Sequence, residues 1–288
     1  MSATHPMRGM THTNTMSSAH PGCIIFLIDR SGSMNNQFGS SGDSCAYGAA
    51  KAVNSIVGEL ALRCMKGEEC SPRIWMGFFG YSQDDVDWAA PKFPPVKDGL
   101  VNISKLAECD DQHFDEANEV YIPWVVEEEA YGSTPMKKAL TEVRAIAEQF
   151  AQNNPNSFPP IIINITDGHP TDCDMSELEQ VAAPLSTVST SDGECLVWNV
   201  HISPSEAPGE LLPSSEANLP DDLSRNLFRA SSLVPSSLAN VAVKAHGMNI
   251  GEEARCFAYN SNSTQLTKLL TLASSVPDPD DEAPSESA

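Results

Sequence analysis

A continuous apolar run from Cys23 to Ile28 ends abruptly at an acid and two hydroxyls, Asp29, Ser31 and Ser33. The run is rich in β-branched residues and does not alternate with polar ones, which is typical of a strand buried on both faces of a sheet. Open α/β sheets bind ligands at the carboxyl ends of such strands. The run therefore predicts an α/β fold and places a candidate site at its polar end.

The rest of the chain repeats this alternation of apolar strand and amphipathic helix, which indicates a mostly parallel sheet with helices on both faces. We predict a Rossmann-like, open, six-stranded sheet in which 86–90 is an antiparallel edge strand. The predicted domain covers 22–275, between a disordered tail at 1–21 and a disordered acidic tail at 276–288. The other predicted strands are 73–82, 161–166, 195–202 and 254–259, and the longer predicted helices are 43–65, 136–152, 175–189, 223–230, 236–246 and 264–275.

The composition excludes several classes of function. A formal net charge of −22 argues against nucleic-acid binding and against docking on an anionic membrane, because both depend on Lys and Arg. No apolar run approaches the roughly 20 residues that span a bilayer. The first 22 residues lack an apolar signal region, so we expect a cytoplasmic protein whose eight cysteines are reduced, with Cys23 and Cys195 in the core.

Two further motifs fall at element boundaries. Thr134 lies in Gly-Ser-Thr-Pro at the start of a predicted helix, and Asp167 follows the apolar run 161–166 directly. If that run neighbours the first strand and their connections leave in opposite directions, the strand ends meet at a topological switch point. Five oxygen-bearing side chains would then face one crevice: Asp29, Ser31, Ser33, Thr134 and Asp167.

Such a ligand set favours a hard cation, Mg²⁺ or alternatively Mn²⁺ or Ca²⁺, because it contains no histidine or cysteine. Most of the oxygens belong to uncharged hydroxyls, so a bound +2 ion keeps much of its attraction for anions. The sequence therefore predicts a partner that offers an Asp or Glu carboxylate to the metal.

These motifs resemble the metal-ion-dependent adhesion site of von Willebrand factor A (VWA) domains. The matching residues are Asp29-x-Ser31-x-Ser33, Gly132-Ser133-Thr134-Pro135 and Thr166-Asp167-Gly168, in the family's order, and the resemblance covers about 22–275. It implies that Ser31, Ser33 and Thr134 ligate the metal directly, and that Asp29 and Asp167 act directly or through water.

The resemblance also implies a non-enzymatic protein-interaction module without catalytic residues or an organic cofactor. The expected cytoplasmic location makes the chain similar to intracellular bacterial VWA proteins. Their implied role is that of an adaptor in stress-response, tellurite-resistance-like or AAA+ ATPase-associated systems. The implied partners are an AAA+ ATPase, a kinase or a PP2C-type phosphatase.

Alternative readings start from the same residues. A Mg²⁺-dependent phosphoryl-transfer enzyme would use a strand-end Asp, but Ser31 stands where a second carboxylate is expected, and no P-loop is present. A secreted, disulfide-linked adhesion protein is the other alternative. His169 lies near Asp167, yet no Ser-His-Asp set is supported. The acidic cluster from Asp110 to Glu119 is read as a solvated face, with a second cation site as the alternative.

Overall fold

The computed structural model describes residues 12–39, 42–116, 118–202, 209–261 and 263–274. Its strands are Gly22–Asp29 (β1), Met65–Lys66 (β2), Glu69–Cys70 (β3), Ile74–Ser82 (β4), Asp85–Trp88 (β5), Val101–Asn102 (β6), Gln112–Asp115 (β7), Val120–Pro123 (β8), Ile161–Thr166 (β9), Ser189–Thr190 (β10), Gly193–Glu194 (β11), Leu196–Ile202 (β12), Glu210–Leu211 (β13) and Phe257–Ser261 (β14). Its α-helices are Cys45–Arg63 (α1), Ile103–Leu106 (α2), Met136–Asn153 (α3), Leu178–Ala182 (α4), Asp222–Arg229 (α5), Ser236–His246 (α6) and Ser263–Ser274 (α7).

The central sheet has the order β13-β14-β12-β9-β1-β4-β5, and β6 also pairs with β4. Strands β14, β12, β9, β1 and β4 run parallel, whereas β5, β6 and β13 pair antiparallel. The predicted mostly parallel sheet and its antiparallel edge at β5 are confirmed. The predicted count of six strands is wrong, because the sheet has eight. The two additional strands, β6 and β13, contain two residues each and are too short to show a periodicity.

Each face of the sheet packs on its own set of helices. Alternate residues of β1 point to opposite faces, as the pleat requires: Ile24 and Phe26 lie in one core, and Ile25 and Leu27 in the other. The first core includes apolar residues of α1, α6 and α7, and the second includes those of α3, α4 and α5. These β1 side chains are fully buried, and each contributes about 1.5–3 kcal/mol by leaving water. The predicted helices on both faces are confirmed.

The helix predicted at 175–189 is broken into short pieces. The α-helical part is only Leu178–Ala182, flanked by 3-10 turns at Met175–Glu177 and Ala183–Thr187, and the chain then forms the small hairpin β10–β11. Pro184 lies at the start of the second turn and cannot continue an α-helical hydrogen-bond ladder. The apolar periodicity of this stretch therefore reflects burial without a continuous helix.

The domain boundaries at 21 and 275 stay predictions. Residues 1–11 and the predicted tail at 276–288 lie outside the described residues. Within the predicted N-terminal tail, however, the backbone amides of Thr13 and Asn14 donate to the carboxylate of Asp192 at 2.9 and 3.0 Å. Met16 is also buried. The part of this tail that the structure describes thus contacts the domain.

All eight cysteines are free thiols, and Cys23 and Cys195 are buried in the core as predicted. Burial raises the pKa of both thiols, so these side chains remain protonated. In the part of the chain that the structure describes, no helix is both long enough and apolar enough to span a bilayer.

Candidate metal centre

The candidate site forms where β1 and β9 end side by side. These strands are parallel neighbours with Ile28 opposite Ile165, so Asp29 and Asp167 emerge at the same edge of the sheet. The chain leaves β1 toward α1 on one face, whereas β9 is reached through α3 on the other face. This is the topological switch point that the sequence predicted.

A chain of hydrogen bonds joins four of the five candidate residues. Asp29 Oδ1 accepts the backbone N–H of Ser31 at 2.8 Å, and the hydroxyls of Ser31 and Ser33 are 3.0 Å apart. Ser33 Oγ in turn donates to Asp167 Oδ1 at 2.7 Å. Asp29 and Ser31 are buried, while Ser33 and Asp167 are half-buried. The set therefore has a buried base and a mouth that faces solvent.

Thr134 completes the cluster from a different loop. A Cβ built on Gly168 would lie 3.4 Å from Ser33 Oγ, 3.7 Å from Thr134 Oγ1 and 3.8 Å from Asp29 Oδ2. Oxygens from the three motifs thus surround one small volume that the absence of a side chain at Gly168 leaves open. The structure brings all five predicted side chains together, and their role as metal ligands stays a prediction.

Backbone contacts hold the Thr134 loop against the end of β1. Gly32 N–H donates to the carbonyl of Gly132 at 3.0 Å, and Tyr131 N–H donates to the carbonyl of Arg30 at 2.7 Å. Gly132 has a φ of 74°, and a Cβ there would overlap the side chain of Gln83. This position therefore favours glycine on both conformational and steric grounds.

The site is electrostatically suited to a cation. Burial raises the pKa of Asp29 to about 6, against the opposing hydrogen bonds of Thr166 and Ser31, and the charge of Asp167 adds to the rise. Burial likewise raises the pKa of Asp167, although the hydrogen bond from Ser33 opposes the shift. With both pKa values raised, the two carboxyl groups do not ionise together easily. A positive charge between them stabilises their ionised forms. Burial at the start of α1 raises the pKa of the Cys45 thiol to about 12, and the charges of Asp167 and Asp29 add to the rise.

The donor set fits a hard divalent ion. Oxygens that occupy adjacent corners of a Mg²⁺ octahedron, with contacts of about 2.1 Å, lie about 3 Å apart. The separations of 3.0 Å between Ser31 and Ser33 and 2.7 Å between Ser33 and Asp167 are close to that edge. No group of three or more His, Cys, Asp or Glu with metal-holding geometry occurs among the described residues. A site made mostly of hydroxyls is compatible with that finding, since it contains only two carboxylates.

Sequence reasoning assigned no role to three residues that hold the site together. Thr166 Oγ1 donates to Asp29 Oδ2 at 2.6 Å and accepts the N–H of Gly168 at 3.1 Å. Thr171 binds the Thr134 loop twice, because its Oγ1 accepts Thr134 N–H at 3.0 Å and its N–H donates to the Thr134 carbonyl at 2.9 Å. Thr166 belongs to the Thr166-Asp167-Gly168 motif, whereas the sequence signal for Thr171 is its closeness to Asp167.

Asp172 is the third of these residues. Its two carboxylate oxygens accept the N–H groups of Lys137 and Lys138 at 3.1 and 2.8 Å. Helix α3 follows Pro135, which offers no side-chain cap, so a residue from the Asp167 loop caps the helix that follows Thr134. This cross-link fixes the distance between the two loops.

Replacing Asp172 by alanine is expected to lower the free energy of unfolding by about 1–2 kcal/mol, because it removes a helix cap and a carboxylate at a helix N-terminus. We also expect a several-fold weaker affinity for divalent cations, since the Thr134 loop loses one of its links to the Asp167 loop and keeps only those of Thr171. Urea denaturation and Mn²⁺ titration measure the two effects. Asp174→Ala is the matched control, because Asp174 makes no side-chain cap; an equal effect of both substitutions would contradict the positioning role.

The alternatives that involve His169 and the acidic cluster find no support in the geometry. The described hydrogen bonds of the Ser31 and Ser33 side chains join them to each other and to Asp167, while His169 is exposed. In the acidic cluster, Asp115 pairs with Lys51 at 2.8 Å. Asp111 pairs instead with Lys92. These carboxylates thus face separate cationic side chains and form no common site.

Comparison with known proteins gives only structural likenesses. A scan against protein-family models finds no match, and neither does a search of curated proteins. The solved structures similar to this chain include the three N-terminal domains of the type V pili tip protein Mfa5 from Porphyromonas gingivalis (14% identity over 52% of this chain and 20% of that chain, TM-score 0.33). The manganese-loaded TRAP protein of Plasmodium vivax is similar over 88% of this chain and 72% of that chain, with 14% identity and a TM-score of 0.42.

The vWF domain of Mfa5 alone is similar over 88% of this chain and 94% of that domain, with 9% identity and a TM-score of 0.44. The chain thus spans only 20% of the longer Mfa5 structure. The interpretation of the site therefore depends on the geometry of its own residues.

Proposed function

We propose that the chain is a VWA-type protein-interaction module that binds an acidic residue of a partner protein through a divalent cation. The carrying observation is the convergence of Asp29, Ser31, Ser33, Thr134 and Asp167 on one solvent-facing volume at the switch point. Ser31, Ser33 and Thr134 would hold the ion directly, while Asp29 and Asp167 would act directly or through water. Mg²⁺ is the ion we favour, with Mn²⁺ and Ca²⁺ as alternatives.

The buried and the solvent-facing residues of the site have different roles in this proposal. The buried Asp29 orients Ser31 through its backbone N–H and receives the hydroxyl of Thr166, so one side of the site is preset. Ser33 and Asp167 lie toward solvent, where a partner can approach. When bound, the cation supplies an electrophilic position for a carboxylate from outside. Because most of the proposed ligands are uncharged hydroxyls, they neutralise little of the cation's +2 charge. The cation would therefore still attract a carboxylate, which supports recognition of Asp or Glu.

The finer parts of this proposal come from the motif resemblance. A cytoplasmic adaptor that works with an AAA+ ATPase, a kinase or a PP2C-type phosphatase is the corresponding proposal for its cellular role. Because the formal net charge is −22, we expect the partner to surround its coordinating carboxylate with basic residues.

Pull-down from a cell lysate tests the proposal. With Mg²⁺, the chain is expected to retain a partner that is lost in EDTA, and the Asp29→Ala variant is expected to lose the same partner in both buffers while its circular dichroism spectrum stays unchanged. Identical partners with Mg²⁺ and with EDTA would contradict metal-dependent capture. Hydrolysis of phosphate esters by the wild-type chain but not by Asp29→Ala would favour the phosphoryl-transfer alternative instead.

A further inference from the structure

The β7–β8 hairpin, Gln112–Asp115 and Val120–Pro123, stands outside the central sheet and is attached to α1 by its inner face. On that face Asp115 forms an ion pair with Lys51 of α1 at 2.8 Å, and the His113 ring stacks on Trp124 with centroids 4.0 Å apart. Ile122, opposite His113 in the register, is buried. The inner face therefore fixes the hairpin to the domain.

The segment that follows the hairpin is also anchored. Asn54 of α1 is fully buried, and its side-chain oxygen accepts the N–H groups of Val125 and Val126 at 3.0 and 2.8 Å. Its side-chain nitrogen donates to the carbonyl of Val126 at 2.9 Å. The hairpin is thus held to α1 by its inner face, and the segment that follows it is held by Asn54. Its outward face therefore has a defined orientation in the folded chain.

The outward face carries an aromatic pair. Phe114 and Tyr121 are directly opposite each other across the two strands, and their ring centroids are 5.1 Å apart. They are nevertheless 52% and 71% exposed. Other exposed apolar side chains, such as Val96, are distant in sequence from this group. Two aromatic rings held in register at the surface form an apolar platform that the chain itself leaves uncovered.

The charges around this platform are negative. Asp110, Glu116 and Glu119 are exposed at the ends of the hairpin strands, and none has an ion pair among the described salt bridges. A second copy of this chain, also with a formal charge of −22, would bring the same carboxylates against them. Arginine and lysine fit better, because a cation can lie on an aromatic ring while it pairs with a neighbouring carboxylate.

We propose that the outward face of the β7–β8 hairpin binds a basic segment of a partner protein, in which arginine or lysine alternates with apolar residues. The cationic side chains lie on the Phe114 and Tyr121 rings and pair with Glu116 and Glu119. The apolar residues cover the ring edges. This contact uses no residue of the metal centre, so it persists in EDTA.

The test uses the full chain and a short fluorescent peptide that alternates arginine and valine, with fluorescence anisotropy measured in EDTA at physiological salt. The double substitution Phe114→Ser/Tyr121→Ser is expected to weaken binding by about 10-fold or more, as expected when two cation–π contacts are lost. Glu116→Gln/Glu119→Gln is expected to weaken binding and to reduce its salt dependence. Both variants change only exposed side chains.

Two controls separate a specific face from general attraction to an acidic protein. Val96→Ser removes an apolar side chain that is 72% exposed elsewhere, and Glu68→Gln/Glu69→Gln removes two carboxylates from the β2–β3 hairpin, which has no aromatic pair. Neither is expected to change the affinity by more than about two-fold. Equal losses from the β2–β3 charges, or no loss from Phe114→Ser/Tyr121→Ser, would overturn the proposal. A dimer of the chain that the aromatic substitutions dissociate would identify a second copy as the occupant and would also overturn it.

Discussion

The Thr134→Ala variant is expected to bind Mn²⁺ at least about 10-fold more weakly than the wild-type chain, since even the loss of a group outside the ligand shell costs about 10- to 100-fold. Thr134 Oγ1 lies with Ser33 Oγ and Asp29 Oδ2 around the volume next to Gly168, so the substitution removes one oxygen from the centre of the site. The rest of the fold should be unaffected, because the backbone contacts of this residue to Thr171 need no side chain at 134. Isothermal titration with Mn²⁺ measures the loss.

Ser133→Ala is the matched control for this experiment. Ser133 is the adjacent hydroxyl in the same loop, but its Oγ points to Asp84 at 3.4 Å and not to the site. We expect its Mn²⁺ affinity and its thermal unfolding to match those of the wild-type chain. If the two variants lose affinity equally, or if neither loses any, the cation does not bind at the convergence of the three motifs.

The elements that the sequence predicted well are those with a long, unambiguous pattern. The apolar runs of β1, β4, β9 and β12 are six to nine residues long, and a buried parallel strand gives the same signal over its whole length. The predicted site requires β1 to lie beside β9 as a condition, and the sheet order of the structure meets it. The main features of the candidate site therefore depend on the strongest signals in the chain.

The missed features have a common cause. The β7–β8 hairpin overlaps the segment from Asp110 to Glu119, which the sequence predicts to be a solvated acidic face. Its strand pattern is hidden because its inward residues include the polar His113 and Asp115, which are stabilised by contacts with Trp124 and Lys51. Asp172 caps a helix that begins before it in sequence. Contacts of this kind depend on how separate segments come together, and no local periodicity encodes them.

Asn164 is a polar residue inside the buried strand β9, and its replacement is expected to have the largest effect on stability. It is fully buried, its Oδ1 accepts the hydroxyl of Tyr81 at 2.8 Å, and its Nδ2 donates to Asn199 Oδ1 at 3.0 Å. Asn199 Nδ2 continues the chain to Ser231 Oγ at 3.0 Å. A line of side-chain hydrogen bonds thus runs from β4 over β1 to β9, and on through β12 to Ser231, two residues beyond α5.

Asn164→Ala is expected to lower the free energy of unfolding by about 3–5 kcal/mol, because it leaves two buried polar groups without partners at about 1–3 kcal/mol each and opens a cavity as well. Urea denaturation monitored by fluorescence measures the change. Asn153→Ala is the control: its side chain also makes a hydrogen bond, to Asp98 at 3.1 Å, but in an exposed position, so a change below about 1 kcal/mol is expected.

A double-mutant cycle with Tyr81→Phe separates the lost hydrogen bond from the cavity. Asn164→Ala leaves the Tyr81 hydroxyl without its acceptor, and Tyr81→Phe removes that hydroxyl. The double variant is therefore expected to be more stable than the sum of the single losses predicts, by about 0.5–3 kcal/mol. Burial raises the pKa of the Tyr81 hydroxyl, which therefore acts only as a neutral donor across the working pH range. If the changes in the free energy of unfolding of the two single variants simply add, the hydrogen bond between Tyr81 and Asn164 contributes no coupling energy. Because Tyr81 lies opposite Asp29 in the sheet, this coupling also determines how firmly the strands beneath the candidate metal centre are held in register.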